Sequence, residues 1–195
     1  MVDPSPETHD SEPRRAGHRL FWWTIAIGVV VVLADQLSKW WAVSALSGSG
    51  RVALLGDLLG LQLVYNPGAA FSTGTGVTWV FTIVTGVVAV LLVWLAWRVG
   101  STVWAVGLGL VLGGAATHFG DRLLRPPAFG QGHVVDFIAY ANFFIGNVAD
   151  IAIVVGVVIL FIAALRGIPL RAPDGAAAAR EGEDADAAPE GTSAP

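Results

Sequence analysis

Residues 133–150 read HVVDFIAYANFFIGNVAD, and the interpretation of the whole chain starts from this stretch. It leads into a long apolar run and carries two carboxylates, Asp136 and Asp150, 14 residues apart. Asp150 lies where a membrane helix should hold only apolar side chains. Because an ionised carboxylate is costly in hydrocarbon, such a residue indicates a functional site. The second carboxylate nearby favours a pair that acts together.

Composition places the chain among integral membrane proteins. Of its 195 residues, 54% are hydrophobic and 13% are charged, and the mean hydropathy is +0.66. A soluble domain usually carries about 25% charged residues. The formal net charge of −4 says little about the membrane part, because much of the acid follows Pro173. The chain has no cysteine, which excludes disulfides, a thiol nucleophile and cysteine metal sites.

The apolar runs predict an all-α membrane protein with one four-helix transmembrane domain over residues 20–166. We expect helices at about 20–43, 77–97, 102–119 and 142–165, with a loop from Pro126 to about Ala141. Residues 1–19 and 167–195 are polar and predict disordered cytoplasmic tails. Between the first two helices, the strand-like residues 58–66 predict a small β-rich extracytoplasmic cradle on the membrane surface.

Basic residues predict the orientation of the helices. Seven of the 11 Lys and Arg residues lie on the side that holds both termini, which places that side in the cytoplasm. The uncommon polar residues of the helices then fall near the outer face. At 1.5 Å rise per residue, Asp35 and Asp150 would each lie roughly 12 Å inside the predicted helix ends. This convergence in depth predicts a site.

Two carboxylates held close together cannot both ionise cheaply, so one keeps a proton while the other can deprotonate water. That is the chemistry of aspartic proteases.

Two other mechanisms are weaker. A Ser/Lys hydrolase could combine Ser38 or Ser72 with Lys39, but Asp35 one turn away would hold Lys39 charged.

A metal site is the other alternative, and its ligands would be His118, Asp121, His133 and Asp136. No HExxH or similar spacing supports it.

The pair formed by Asp35 and Lys39 has two interpretations. It is either a structural ion pair near the interface, with Lys39 extending outward, or a part of the site.

Five motifs, in this order, resemble those of bacterial lipoprotein signal peptidase, also called signal peptidase II. They are D-Q-x-x-K (Asp35, Gln36, Lys39), N-P-G-A-A-F (66–71), G-G-A-x-x-x-x-x-D-R (113–122), V-V-D-F (134–137) and N-V-A-D (147–150). The resemblance extends over roughly residues 35–153. It implies a membrane aspartic endopeptidase that needs no cofactor and no metal. Its implied substrate is a prolipoprotein whose cysteine already carries diacylglyceryl, cut on the amino side of that cysteine.

The resemblance also implies residue roles. Asp136 and Asp150 would be the catalytic pair, with supporting or substrate-binding roles for Asp35, Lys39, Asn66, Asp121, Arg122 and Asn147. His118 stands where the family usually has Asn, and Gly146 where it usually has Phe. An imidazole can still donate or accept one hydrogen bond, but it is bulkier than an amide and can carry a charge, so the resemblance alone does not assign a role to His118.

The implied protein is a multi-pass monomer of the bacterial cell membrane with its active site toward the outer face. Its partners are lipid-modified precursors and membrane lipid, with no nucleic acid. Two other functions stay open: an inactive relative that only binds lipoproteins, and a small transporter using Asp35, Lys39 and Asp150. The second is disfavoured because helix 2 lacks ionisable residues.

Overall fold

The computed structural model describes residues 12–68 and 76–171, and the side chains of the first helix from His18 onward. Most of the two predicted tails, residues 1–11 and 172–195, lies outside this range. So do residues 69–75, which include the second half of the N-P-G-A-A-F motif and Ser72.

The described part of the chain contains four helices. They are α1 (Glu12–Leu46), α2 (Thr78–Ala96), α3 (Thr102–Leu124) and α4 (Val148–Leu165). Each is long and apolar enough to span a membrane, which confirms the predicted fold class. Three bounds differ clearly from prediction: α1 begins within the expected disordered tail, at Glu12, α3 continues through Asp121 and Arg122, and α4 begins at Val148 and not at about 142.

Helix α3 is the central helix, because it packs against each of the other three. Glycines on two of its faces allow this. A Cβ on Gly113 would lie 2.5 Å from Cβ of Val31 on α1, and one on Gly107 would lie 3.3 Å from the carbonyl oxygen of Gly156 on α4. The absence of side chains at these glycines therefore lets α3 approach α1 and α4 closely.

A four-stranded antiparallel sheet lies at one end of the helices, in the order β1 (Val52–Leu55), β2 (Leu59–Asn66), β3 (Val134–Tyr140) and β4 (Phe144–Gly146). The chain segment before α2 supplies β1 and β2, and the segment after α3 supplies β3 and β4. The predicted cradle between helices 1 and 2 is thus only half of the sheet.

The segment before α4 corrects the sequence-based prediction. Residues expected as loop form β3, and residues 142–147, expected as the first turns of helix 4, form a turn, β4 and the helix cap. Ala141, with φ of 48°, starts the turn that pairs β4 with β3. Because α4 begins at Val148, Asp150 lies in its first turn and not two turns inside it.

Candidate active site

Asp136 is placed by the central strands of the sheet. It lies on β3, directly opposite Val64 of β2, and is 4% exposed. Two amide groups donate hydrogen bonds to its carboxylate: Asn66 Nδ2 to Oδ2 at 3.0 Å, and Asn147 Nδ2 to Oδ1 at 2.7 Å. A buried carboxylate is tolerated here because both of its oxygens have donors.

Asp150 is placed by the start of α4. Asn147 caps the helix, and its side-chain oxygen accepts a hydrogen bond from the Asp150 amide at 3.2 Å. In return, the Asp150 carboxylate oxygen Oδ2 accepts the Asn147 backbone N–H at 2.8 Å, which completes a capping box. The other oxygen, Oδ1, lies 3.2 Å from Nε2 of His118 on α3.

Asn147 connects the two carboxylates. Its side-chain NH₂ bonds Asp136, while its backbone N–H bonds Asp150. Both carboxylates line one cleft of about 180 Å³, so the pair predicted from the sequence shares a site. The cleft is lined by Asn66, Gly68, Phe81, Thr85, His118, Arg122, Val134, Asp136, Phe144 and Asp150.

The two carboxylates differ in their electrostatic surroundings. Burial, with a further contribution from the charge of Asp150, raises the pKa of Asp136 to about 6, although the amides of Asn66 and Asn147 oppose the shift. Asp150 instead lies at a helix N-terminus, where the helix dipole and a backbone N–H stabilise negative charge. The arrangement therefore favours the proton on Asp136 and the negative charge on Asp150.

Arg122 contributes a positive charge to the same cleft and anchors the chain after β2. Its guanidinium donates to the carbonyl oxygens of Pro67, at 3.4 Å, and of Gly68. It also lies 5.3 Å from the ring centroid of Phe81 on α2. Arg122 thus joins α3 to the start of the segment that returns to α2.

Three other predicted residues lie outside the cleft and form a buried ionic network. Lys39 Nζ bonds Asp35 at 2.6 Å and Asp121 at 2.7 Å, and Lys39 and Asp35 are fully buried. The interpretation that Lys39 extends outward is therefore wrong. Asp35 also accepts the backbone N–H of Ala149 at 2.9 Å. The network connects α1 and α3 to the first turn of α4, the turn that carries Asp150.

Some residues that contribute to this arrangement were not predicted as site residues. Gln36 donates to Thr117 at 2.7 Å and to Asp121 at 2.9 Å. Arg125 bonds Asp121 at 2.7 Å. Gln36 belongs to the D-Q-x-x-K motif, so its spacing was a usable signal. Phe81, Thr85 and Phe144 line the cleft without any signal in the sequence, because apolar or hydroxyl side chains in apolar runs look the same whether or not they face a site.

The alternative mechanisms find no support in the described residues. The hydroxyl of Ser38 donates to the backbone oxygen of Asp35 at 2.8 Å, and Lys39 is held by two carboxylates. Within residues 12–68 and 76–171, no three His, Asp or Glu side chains are grouped as a metal site would require.

Comparisons with known proteins show which family the chain is similar to. The family model described as "Signal peptidase (SPase) II" matches residues 27–166. A lipoprotein signal peptidase of Leifsonia xyli is 46% identical over 145 residues, which cover 74% of this chain and 67% of the relative. One of Rhodococcus jostii is 42% identical over 172 residues, covering 88% of this chain and 81% of the relative.

A solved structure described as a bacterial membrane enzyme is similar with a TM-score of 0.64 at 27% identity, covering 77% of this chain and 92% of that one. A second structure with the same description gives a TM-score of 0.63 at 29% identity.

Proposed function

The chain belongs to the signal peptidase II family, and on that premise we propose that Asp136 and Asp150 are the catalytic pair of an aspartic peptidase. The protein is a lipoprotein signal peptidase of the membrane. The observation that supports the proposed catalytic type is the position of Asn147, which bonds Asp136 through its side chain and Asp150 through its backbone N–H. A carboxylate with a raised pKa and a carboxylate stabilised as an anion therefore line one cleft.

The roles follow from which carboxylate keeps a proton. Asp150, which is stabilised as an anion, takes a proton from a water molecule that attacks the carbonyl carbon of the scissile peptide. Asp136, which has the raised pKa, donates its proton to the carbonyl oxygen. Asp150 then gives the proton it took from water to the leaving nitrogen, and Asp136 takes a proton back from a hydroxyl of the diol intermediate as the C–N bond breaks, so both carboxylates return to their starting states and the two products are released.

The substrate of this reaction is a precursor whose cysteine carries a diacylglyceryl group, cut on the amino side of that cysteine. Each buried acyl CH₂ contributes about 0.8 kcal/mol, so two acyl chains hold such a substrate in the bilayer beside the enzyme. The walls formed by Phe81, Val134 and Phe144 suit an apolar peptide segment.

Asp35, Lys39 and Asp121 serve this reaction as positioning residues, because they contact the helices that carry the site and not the cleft. Arg122, Asn66, Asn147 and His118 border the cleft or bond its carboxylates. We place the cleft toward the outer face of the cell membrane and both termini in the cytoplasm. The monomeric state stays a prediction.

Replacing either carboxylate tests the proposal. Asp136→Asn and Asp150→Asn are each expected to lower the rate of signal-peptide release from a purified diacylglyceryl-modified precursor by at least about 1,000-fold, since removing one group of a cooperating pair removes most of their joint effect. Asp57→Asn is the matched control, because Asp57 lies in the exposed turn between β1 and β2.

Two results would count against the proposal. One is cleavage at the rate of the unsubstituted protein by a folded variant at position 136 or 150. The other is loss of cleavage on adding a chelator, because metal hydrolysis would then replace the carboxylate mechanism.

A further inference from the structure

The Asp150 carboxylate lies between two residues that limit where it can be. On the α3 side, Nε2 of His118 is 3.2 Å from Oδ1. On the sheet side, a Cβ built on Gly146 would lie 2.7 Å from Oδ2. A carbon and an oxygen that are not bonded cannot approach so closely without displacement, so position 146 has no room for a side chain while Asp150 keeps this place.

The requirement for glycine at 146 is one of space and not of backbone conformation. Gly146 is the last residue of β4, pairs with Ile138, and has no left-handed φ. Two groups occupy the space of its missing side chain: the carboxylate of Asp150, and the ring of Phe144, whose Cε1 would lie 2.6 Å from the Cβ. The ring is the outer end of a side chain that can rotate, whereas the carboxylate is bound on both sides.

Two contacts oppose movement of the Asp150 carboxylate away from position 146. Its Oδ2 is bound to the Asn147 backbone N–H in the capping box, and movement toward α3 would bring Oδ1 against the imidazole of His118. The imidazole itself is placed by a close contact of α3 with α4. One turn before it, a Cβ on Gly114 would meet Ile153 and the carbonyl oxygen of Ala149.

We propose that His118 and Gly146 act as one steric pair that positions the catalytic carboxylate: the imidazole holds it on the sheet side, and the missing side chain leaves it room there. This inference rests on the proposed function, since it takes Asp150 as the catalytic base. It makes His118 and Gly146 positioning residues whose substitutions are coupled. A substitution that opens space at one of the two positions compensates for one that fills space at the other.

A double-mutant cycle tests the coupling. Gly146→Ala is expected to lower kcat by roughly 10-fold or more with little change in KM, since displacing a reacting group by about 1 Å can cost on the order of 100-fold in rate. Asn is shorter than His, so His118→Asn opens space on the α3 side. In that background, Gly146→Ala is expected to lower kcat by less than about threefold, because the carboxylate can move away from the new methyl group.

Two comparison variants separate the causes. Phe144→Leu removes the ring and leaves the imidazole, so Gly146→Ala should remain costly in that background. Gly120→Ala is the control for a glycine replacement, because nothing lies within 4 Å of a Cβ at Gly120. All variants are compared by cleavage of the lipidated precursor and by thermal unfolding in detergent.

The coupling is wrong if Gly146→Ala costs the same factor with the native His118 and in the His118→Asn background, or if only Phe144→Leu relieves it. If Gly146→Ala does not fold, recovery of the folded protein by His118→Asn supports the pair, and failure to recover overturns it. Asp150→Asn, assayed in parallel, separates the two hypotheses. Cleavage by that variant refutes the proposed function. If Asp150→Asn is inactive but the effects of Gly146→Ala and His118→Asn on kcat are additive, only the steric pair is refuted.

Discussion

The protonation of Asp136 should set the upper pH limit of the reaction. The mechanism needs a proton on this carboxyl, whose pKa burial raises to about 6, so the fraction of active enzyme falls as the pH rises through that value. The expected result is a decreasing limb of kcat/KM near pH 6, measured with the lipidated precursor in detergent. A profile that stays flat from pH 5 to pH 8 would contradict this assignment of the proton.

Replacing Asn66 should shift the pH at which kcat/KM decreases. Its amide stabilises the ionised form of Asp136 through the 3.0 Å hydrogen bond and so opposes the rise of the pKa. Asn66→Ala should therefore move the limb to higher pH. Asn142→Ala, in the exposed turn before β4, is the matched control and should leave the limb in place. A shift to lower pH in Asn66→Ala would show that the hydrogen bond acts in the opposite sense.

At the scale of single residues, the sequence predicted which polar residues come together better than it predicted the contacts of each. The motifs identified the two aspartates, and Asn66, Asn147 and His118 do bond them. They could not separate these from Asp35 and Lys39, which lie in the network behind the cleft. Membrane-embedded polar residues share one sequence signal whether they bond the reacting groups or fix the helices, because burial is costly in both cases.

Among the elements, the seam between α1 and α3 depends on Gly113. Gly113→Ala would place a methyl group 2.5 Å from Cβ of Val31 and 2.7 Å from the carbonyl oxygen of Gly28, which forces the two helices apart. Such overpacking costs about 1–3 kcal/mol. The expected result is a lower unfolding temperature in detergent, together with slower cleavage, because α3 carries His118 and Arg122.

Gly120→Ala again provides the matched control, since it adds the same methyl group to the same helix in open space. Alanine is favoured over glycine in a helix by about 1 kcal/mol, so this variant should unfold at an equal or higher temperature. If Gly113→Ala were as stable as Gly120→Ala, the close contact of α1 and α3 would not contribute to stability.

The elements also show where sequence-based prediction fails. The helices follow from long apolar runs, but residues 134–146 are also mostly apolar and lead into the run of α4. They form β3 and β4 because β2, about 70 residues earlier, supplies the pairing partner for β3. Pairing between such distant segments leaves no local signal, so the start of helix 4 was predicted six residues too early, at Asn142.

For the whole molecule, the structure places the cleft and the sheet at the same ends of the four helices. Asp35 and Lys39 lie in the second half of α1, Asp121 and Arg122 at the end of α3, and Asp150 at the start of α4. Arg19, Arg98, Arg166 and Arg171 lie toward the opposite ends. In the sequence-based assignment, seven of the 11 Lys and Arg residues are on the side of the termini and four, Lys39, Arg51, Arg122 and Arg125, are on the side of the cleft, so the positive-inside rule favours the proposed outward-facing cleft.

Single cysteines can test that orientation directly, because the chain has none of its own. Asp57→Cys lies in the exposed β1–β2 turn, and Pro169→Cys is exposed after α4 and leaves every basic residue in place. A membrane-impermeant maleimide added to intact cells should label Asp57→Cys, and it should label Pro169→Cys only after the membrane is permeabilised. The cysteine-free protein controls for other thiols, and both variants should still cleave the precursor. Labelling of Pro169→Cys alone in intact cells would reverse the orientation and place the cleft toward the cytoplasm.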